Sequence, residues 1–523
     1  MMEDLIKAYE DRGVKFWVEN GQLKFKAPSG TLNAEDKVKL RNVKEKLIEY
    51  YERKDKSALK ADLSKRYEPF PLTGIQSAYL LGRNHNYEYG GVGCHAYFEL
   101  SMPHMDAERL ESAWHKVIMR HDMLRAVFLQ NGTQKILEHV DLPKLTYFNM
   151  KEAGAETTDS KLNEIRAELA HKQYQADCWP LFDLYLTDTI DKSILHFSID
   201  MLLSDFISMK TILNDLDAFY YEDGKNLKPL QVSFRDVLVY QKEHENDEEV
   251  RTKKDRDCEY WKKRLQNFPD APELSILPES KCEKVTFTQY RHFITPENWS
   301  KLCEKARMQR LTPSGVVLSA YAEIIGRWSK RKDFCIDITI LNRPSIHSQI
   351  NEIVGDFTEV DILEISPEYP SNFVERTRKI QNQLWEDLSH SAFTGIDVLR
   401  EINRQSEKKA IIPVVYTSTV GAADSEQQEN WEFMRNSRIT YKISQTPQVW
   451  IDCQVSEDNG GVLINWDVRD GVFPEGFVND AFEAFSLLIE RLCTNLKVWE
   501  QVHPVELPLK TGKVRKSVNK TEK

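Results

Sequence analysis

The sequence has no CxxC, no HExxH, no GxSxG and no apolar run approaching the ~20 residues needed to cross a bilayer. Each absence removes a class: a zinc ribbon, a zincin, an α/β-hydrolase and a helical membrane protein. Its eight cysteines (Cys94, Cys178, Cys258, Cys282, Cys303, Cys335, Cys453 and Cys493) are scattered without paired spacing, so they are expected to be reduced, packed thiols. The thirteen histidines show no metal-ligand spacing either, and no metal site is expected. Positive charge is also short. With 71 Lys and Arg against 82 Asp and Glu, the net charge of −11 argues against a dedicated nucleic-acid or lipid binder. The start, MMEDLIKAYEDRG, is acidic and amphipathic where a secretion signal is basic and then apolar, which predicts a cytoplasmic location.

Four near-motifs fail on inspection. GGVG at Gly90 to Gly93 has Ala96 where a third glycine could stand and no strand, loop and helix frame around it. The TGK of Thr511 to Lys513 lacks the upstream glycine of a phosphate loop, and HEND at His244 has no second His one turn on. Ser314, in TPSG, is better placed at a helix start with Pro313 in the first turn.

What remains, at 523 residues with 41% hydrophobic and 29% charged, is an ordinary globular composition long enough for several domains. Residues 1–58 form one unit. Leu5, Ile6 and Tyr9 line a short helix stopped at Gly13, and VKFWV and LKFKA make a hairpin around Asn20-Gly21. Asn33 caps a second helix from Ala34 to about Arg53, in which Val38, Leu40, Val43, Leu47 and Ile48 recur near the helical period. A lone hairpin has open edges, and this segment carries +2 through Lys56 against −13 for the rest, so an acidic peptide partner is expected. Residues 59–66 read as a linker. From Tyr67 strands and helices alternate over a length too great for one core, dividing into lobes at 67–245 and 246–505 near the charged run ending at Lys263. Residues 506–523 are basic and aperiodic, like a linker toward a further domain.

The segment richest in information is LHFSIDMLLSDFISMK, Leu195 to Lys210, where a strand runs into Asp200 and is followed by Asp205 and Ser208. On its own this is a helix cap and a structural ion pair. Eight other segments change its weight: FPLTGIQSAYLLGR from Phe70, RHDMLRAVF from Arg120, FPDAPEL from Phe268, TPSGVVLSAY from Thr312, VGDFTEV from Val354, PVVYTS from Pro413, SQTPQVWID from Ser444 and WDVRDGVFP from Trp466. In this order, with Asp200 to Ser208 fitting DxxxxDxxS, the chain resembles the heterocyclization domain of nonribosomal peptide synthetases, a variant of the condensation domain. Ordinary condensation domains have two adjacent His where this chain has Asp200 and Met201. A thioether takes no proton at neutral pH, which disfavours plain condensation by that route.

The resemblance implies an α/β fold: a pseudo-dimer of two chloramphenicol-acetyltransferase-like lobes with a central tunnel, preceded by a small α/β docking domain. It implies two chemical stages. A carrier-bound acyl or peptidyl thioester is joined to carrier-bound Cys, Ser or Thr, and the amide is then closed to a thiazoline or oxazoline with loss of water. For the second stage the expected catalytic residues are Asp452 and Thr417, both in segments that read as strands. Gln448, Ser418 and Asn342 are expected to orient the substrate. Asp205 is expected to pair with an arginine and hold the active-site loop together with Ser208, and the role of Asp200 is open.

No cofactor is expected in the chain itself, because phosphopantetheine arrives on the partner carrier proteins. Residues 1–58 resemble the docking domains of the tubulysin-synthetase type, which implies a donor carrier delivered in trans by an upstream subunit. A downstream acceptor carrier and an adjoining adenylation domain complete the expected partners. Two other functions fit the same residues: a carrier-dependent acyltransferase that condenses without cyclizing, and a silent module that only organises carriers.

Overall fold

The computed structural model describes residues 59–278, 285–367, 370–405, 410–421, 435–458 and 460–507, with 9, 14–19, 22–26, 36, 40, 43–44 and 47–48 of the first segment. In that segment β1 (Lys15–Glu19) and β2 (Gln22–Lys26) pair antiparallel, with Phe16 opposite Phe25. Tyr9, Val14, Phe16, Leu40 and Leu47 form its own small core. The hairpin turn at Asn20-Gly21, the stop at Gly13, the cap at Asn33 and the tail 508–523 lie outside the described residues.

The first lobe begins with β3 (Phe70–Pro71) and a helix, Gly74–Gly82. A reciprocal box starts that helix: Gln76 N donates to Thr73 Oγ1 (3.1 Å) and Thr73 N to Gln76 Oε1 (3.0 Å). Then follow β4 (His95–Met102), β5 (Ala126–Phe128), β6 (Thr133–Ile136), β7 (Thr146–Asn149), β8 (Phe182–Asp188) and β9 (Ser193–Asp200). Helices Ala107–Arg120 and Phe206–Glu222 cover one side, burying Trp114, Val117, Leu213 and Leu216 at helical spacing against Phe182 and Phe197.

The charged run at the junction forms helices Phe234–His244 and Glu248–Arg264; on the second, Asp257 and Trp261 are the buried residues. The second lobe contains β10 (Phe287–Ile294), β11 (Phe334–Leu341), β12 (Thr358–Ile365), β13 (Val414–Ser418), β14 (Arg438–Gln445), β15 (Ile451–Asp458) and β16 (Gly461–Arg469). Helices Pro313–Trp328 and Phe477–Thr494 pack on its sheet around Tyr321, Trp466 and Phe485. Pro313 occupies the first turn, as read from TPSG, and Thr312 caps the helix by accepting from the Gly315 amide.

The lobes exchange parts. One sheet runs β10-β16-β15-β13-β11-β12, but β14, late in the chain, leaves it and adds to the first lobe in the order β14-β4-β9-β8-β7. Ile350, Ile353, Val354 and Phe357 likewise pack into the core of the first lobe. The linear division at residue 245 therefore does not describe which residues share a core. No helix among the described residues is long and apolar enough to cross a membrane.

Candidate active site

Strand alternation builds the site. Asp452 and Gln454 lie two apart on β15 and share a face. Parallel pairing with β13 sets Val415 beside Asp452 and Thr417 beside Gln454. Thr417 Oγ1 is 3.1 Å from Asp452 Oδ1 and 2.9 Å from Thr339 Oγ1 on β11. Gln454 Nε2 donates to Asp452 Oδ2 and to Ser444 Oγ, each at 2.7 Å. Ser444 belongs to β14, so this bond joins the two sheets. Asp467 on β16 accepts from the Ser444 amide and hydroxyl, both at 2.8 Å, and from Gln289 Nε2 at 2.7 Å.

Thr339, Thr417, Ser444, Asp452, Gln454 and Asp467 line a cavity of about 140 Å³ between the sheets, with Phe98 and His95 of β4 and Met201, Phe206 and Met209. A larger space, about 640 Å³, lies on the outer side of the second lobe beside helices Pro313–Trp328 and Phe373–Ser389 and holds none of the predicted residues. Burial pushes Asp452 up to about 6, with the Asp467 charge acting the same way and the Gln454 and Thr417 hydrogen bonds opposing. Asp337, on the same face of β11 as Thr339, is pushed up to about 8 by burial and by the Asp452 charge. His95 is held neutral, its pKa pulled down to about 3 by burial, and it hydrogen-bonds Ser198 at 2.8 Å. A carboxyl poised near 6 can both accept and return a proton around neutral pH.

The other predicted residues are placed elsewhere. Ser418 follows Thr417, so its side chain points to the opposite face, where Ser314 Oγ donates to it at 2.9 Å. Asn342 lies just past the end of β11 and donates to Glu359 at 2.9 Å. Gln448 sits in a turn with φ of 63° and its side-chain amide donates to the Glu88 carbonyl at 3.3 Å. None of the three lines the cavity with Asp452.

Asp200 is buried at the end of β9, paired with Arg83, and accepts from the Leu202 amide at 3.0 Å. Asp205 caps helix Phe206–Glu222 through the Ser208 amide (2.6 Å) and pairs with Arg343 (2.7 Å), which also donates to Ser208 Oγ and to the carbonyls of Ile350 and Ile353. Arg343 follows β11 of the second lobe's sheet, so this cluster ties the chain leaving that strand to the start of helix Phe206–Glu222 in the first lobe. Sequence reasoning missed Asp337, Thr339, Gln454 and Asp467. Alternation in DITIL and IDCQV was a usable signal for the first three, but nothing local marks β16 as their neighbour.

The family described as Condensation domain matches residues 70–503, and the TubC N-terminal docking domain matches residues 2–53. The chain belongs to the condensation-domain family. Pyochelin synthetase PchF of Pseudomonas aeruginosa (strain UCBPP-PA14) is 35% identical over 510 residues, covering 97% of this chain and 28% of PchF. Phenyloxazoline synthase MbtB of Mycobacterium tuberculosis (strain ATCC 25618 / H37Rv) is 31% identical over 464 residues, covering 88% of this chain and 32% of MbtB. The chain thus spans about a third or less of these curated relatives. Among solved structures, the EpoB NRPS cyclization-docking bidomain from Sorangium cellulosum superposes with a TM-score of 0.79 at 30% identity, covering 94% of this chain and 98% of that one.

In this condensation-domain chain, the residue after Asp200 is Met201, and it lines the cavity. Its thioether offers the site no exchangeable proton at neutral pH. The carboxyls that line the cavity, Asp452 and Asp467, come from the second lobe.

Proposed function

We propose that this chain joins a carrier-bound acyl or peptidyl donor to carrier-bound Cys, Ser or Thr and then cyclodehydrates the amide to a thiazoline or oxazoline. The observation that carries this reading is the Thr417 and Asp452 contact facing the inter-lobe cavity. Relatives that include a phenyloxazoline synthase and a cyclization-docking bidomain support it.

In the first stage the acceptor amine attacks the donor thioester carbon; the C–N bond forms, the C–S bond breaks, and the donor arm leaves as a thiol. Confinement of two tethered reactants supplies most of what this step needs. In the second stage the acceptor side chain adds to the amide carbon. Ionised Asp452 takes its proton, and Thr417 holds the carboxyl in place. The C–O bond then breaks as the N–H electrons form the C=N bond. Both protons leave on the former carbonyl oxygen as water. Phosphopantetheine enters this scheme only as the carriers' arm, with no cofactor supplied by the chain. Asp205 and Ser208 keep the loop shape through Arg343, and Asp200 does so through Arg83.

The first 58 residues dock the upstream subunit. Their two-stranded sheet leaves strand edges for a peptide tail. The test of the reaction is incubation with both loaded carriers and mass analysis of the released product. A product one water lighter than the linear amide is expected, and the linear amide alone refutes cyclodehydration. Deleting residues 1–58 is expected to abolish binding of the upstream tail; unchanged binding refutes docking.

A further inference from the structure

Ring closure puts negative charge on the amide oxygen, and an ionised carboxylate at the site cannot stabilise it. A cation or a strong donor facing the same cavity is needed. Among the described residues that line the cavity, Lys442 is the one cation. It lies on β14, the strand that crosses from the second lobe to the sheet of the first, two positions before Ser444, and so on the same face. The residue is 8% exposed. Among the described residues its ammonium makes no hydrogen bond and no ion pair. The charged groups facing it are Asp467 on β16, Asp452 and Asp458 on β15 and Arg291 on β10. The carboxylate of Asp467 is already taken up by Ser444 and Gln289.

The Lys442 side chain is buried, but its ammonium is open to the cavity and has no partner among the described residues, so an oxygen entering the cavity can accept its hydrogen bonds. Its pKa is pulled down to about 8 by burial, with Asp467 acting the other way. It therefore remains largely protonated at neutral pH.

Resting on the cyclodehydration reading, we propose that Lys442 is a catalytic residue of ring closure, its ammonium binding the amide oxygen as that oxygen becomes negative and leaves as water. When the side-chain sulfur or oxygen adds to the amide carbon, its proton passes to Asp452 and the carbonyl π pair moves onto the oxygen facing Lys442. The side-chain proton and the amide N–H proton both end on that oxygen. Lys442 and Asp452 finish the cycle as they began it.

The experiment is single-turnover mass analysis of the full chain with both loaded carriers, run from pH 6 to 10 for wild type, Lys442→Met and Lys442→Arg. Linear amide formation in Lys442→Met is expected within about threefold of wild type. Ring closure is expected to slow by about 100-fold, the loss typical of a missing oxyanion donor, with the linear amide accumulating. The alkaline fall of wild-type ring closure near pH 8 is expected to vanish in Lys442→Met and to move upward in Lys442→Arg.

Ring closure by Lys442→Met at the wild-type rate overturns the proposal. If that variant does not fold, an unmoved alkaline limb in Lys442→Arg overturns it instead. A wild type that cyclizes beside an equally active Lys442→Met removes only the lysine's role. If the wild type stops at the linear amide, cyclodehydration itself fails, and this role fails with it.

Discussion

Thr417 and Asp452 come from neighbouring parallel strands and touch at 3.1 Å, although 35 positions separate them in the chain. The hydroxyl has a single proton with two acceptors in reach, Asp452 Oδ1 and, at 2.9 Å, Thr339 Oγ1, and it goes to the carboxyl when Asp452 is ionised. The base that ring closure requires is thus held by the Thr417 hydroxyl on one oxygen and by the Gln454 amide on the other.

Replacing Asp452 by Asn keeps its shape and removes the proton acceptor. Ring closure is expected to fall by about 10²- to 10⁴-fold, with linear amide still formed. Thr417→Ala is expected to cost about fivefold, and Thr417→Ser to restore most of it, because one hydrogen bond of about 1 kcal/mol is at stake. Product ratios by mass analysis check both. Asp452→Asn at the wild-type cyclization rate would sink the assignment.

The pH profile carries an independent mark. Burial raises Asp452 to about 6, so its basic form appears as pH rises through that value. Ring closure is therefore expected to climb between pH 5 and 7 with a midpoint near 6, whereas amide formation, followed separately, should lack that limb. The limb should also disappear in Asp452→Asn. A flat wild-type profile across this range would count against Asp452 as the base.

Arg343 ties Asp205, Ser208 and the carbonyls of Ile350 and Ile353 into one buried cluster at the start of helix Phe206–Glu222. Arg343→Met strands the Asp205 carboxylate without its countercharge. A loss of about 3–5 kcal/mol in urea unfolding is expected, since breaking a buried pair leaves one charge unpaired. Activity should fall in parallel with folded protein. Full stability in the variant would refute this tie.

Asp337 shows the same physics through stability. Its pKa rises from 3.8 to about 8 on folding, so the folded state holds a proton that the unfolded chain releases. That contribution is fully present below about pH 4 and is lost as pH rises through about 8. Asp337→Asn removes the loss. Its melting temperature relative to wild type is expected to increase from pH 5 to 8 and then level off. A constant difference would show that the carboxyl is not buried as described.

The pair Asp452 and Thr417 could be named from the sequence because PVVYTS and SQTPQVWID stand among ordered family segments. Gln448, Ser418 and Asn342 were named on the same grounds, and the backbone directs them elsewhere. Ser418 is turned to the other face by period two alone, since adjacent strand residues face opposite sides. Gln448 required the left-handed turn at φ 63° to be seen, and the chain pattern does not show it.

Local pattern determined that strands alternate with helices after residue 67, that a helix starts at TPSG with Pro313 in its first turn, and that the cysteines are not paired by spacing. These follow from side-chain period and backbone chemistry within a few residues. Only the tertiary structure decided that β14 leaves its own lobe for the other sheet, bringing Ser444 and Lys442 to Asp452, and that Asp337, Asp452 and Asp467 share one low-dielectric space. Strand order and desolvation depend on contacts between segments far apart in the chain, and no short window of residues contains that information.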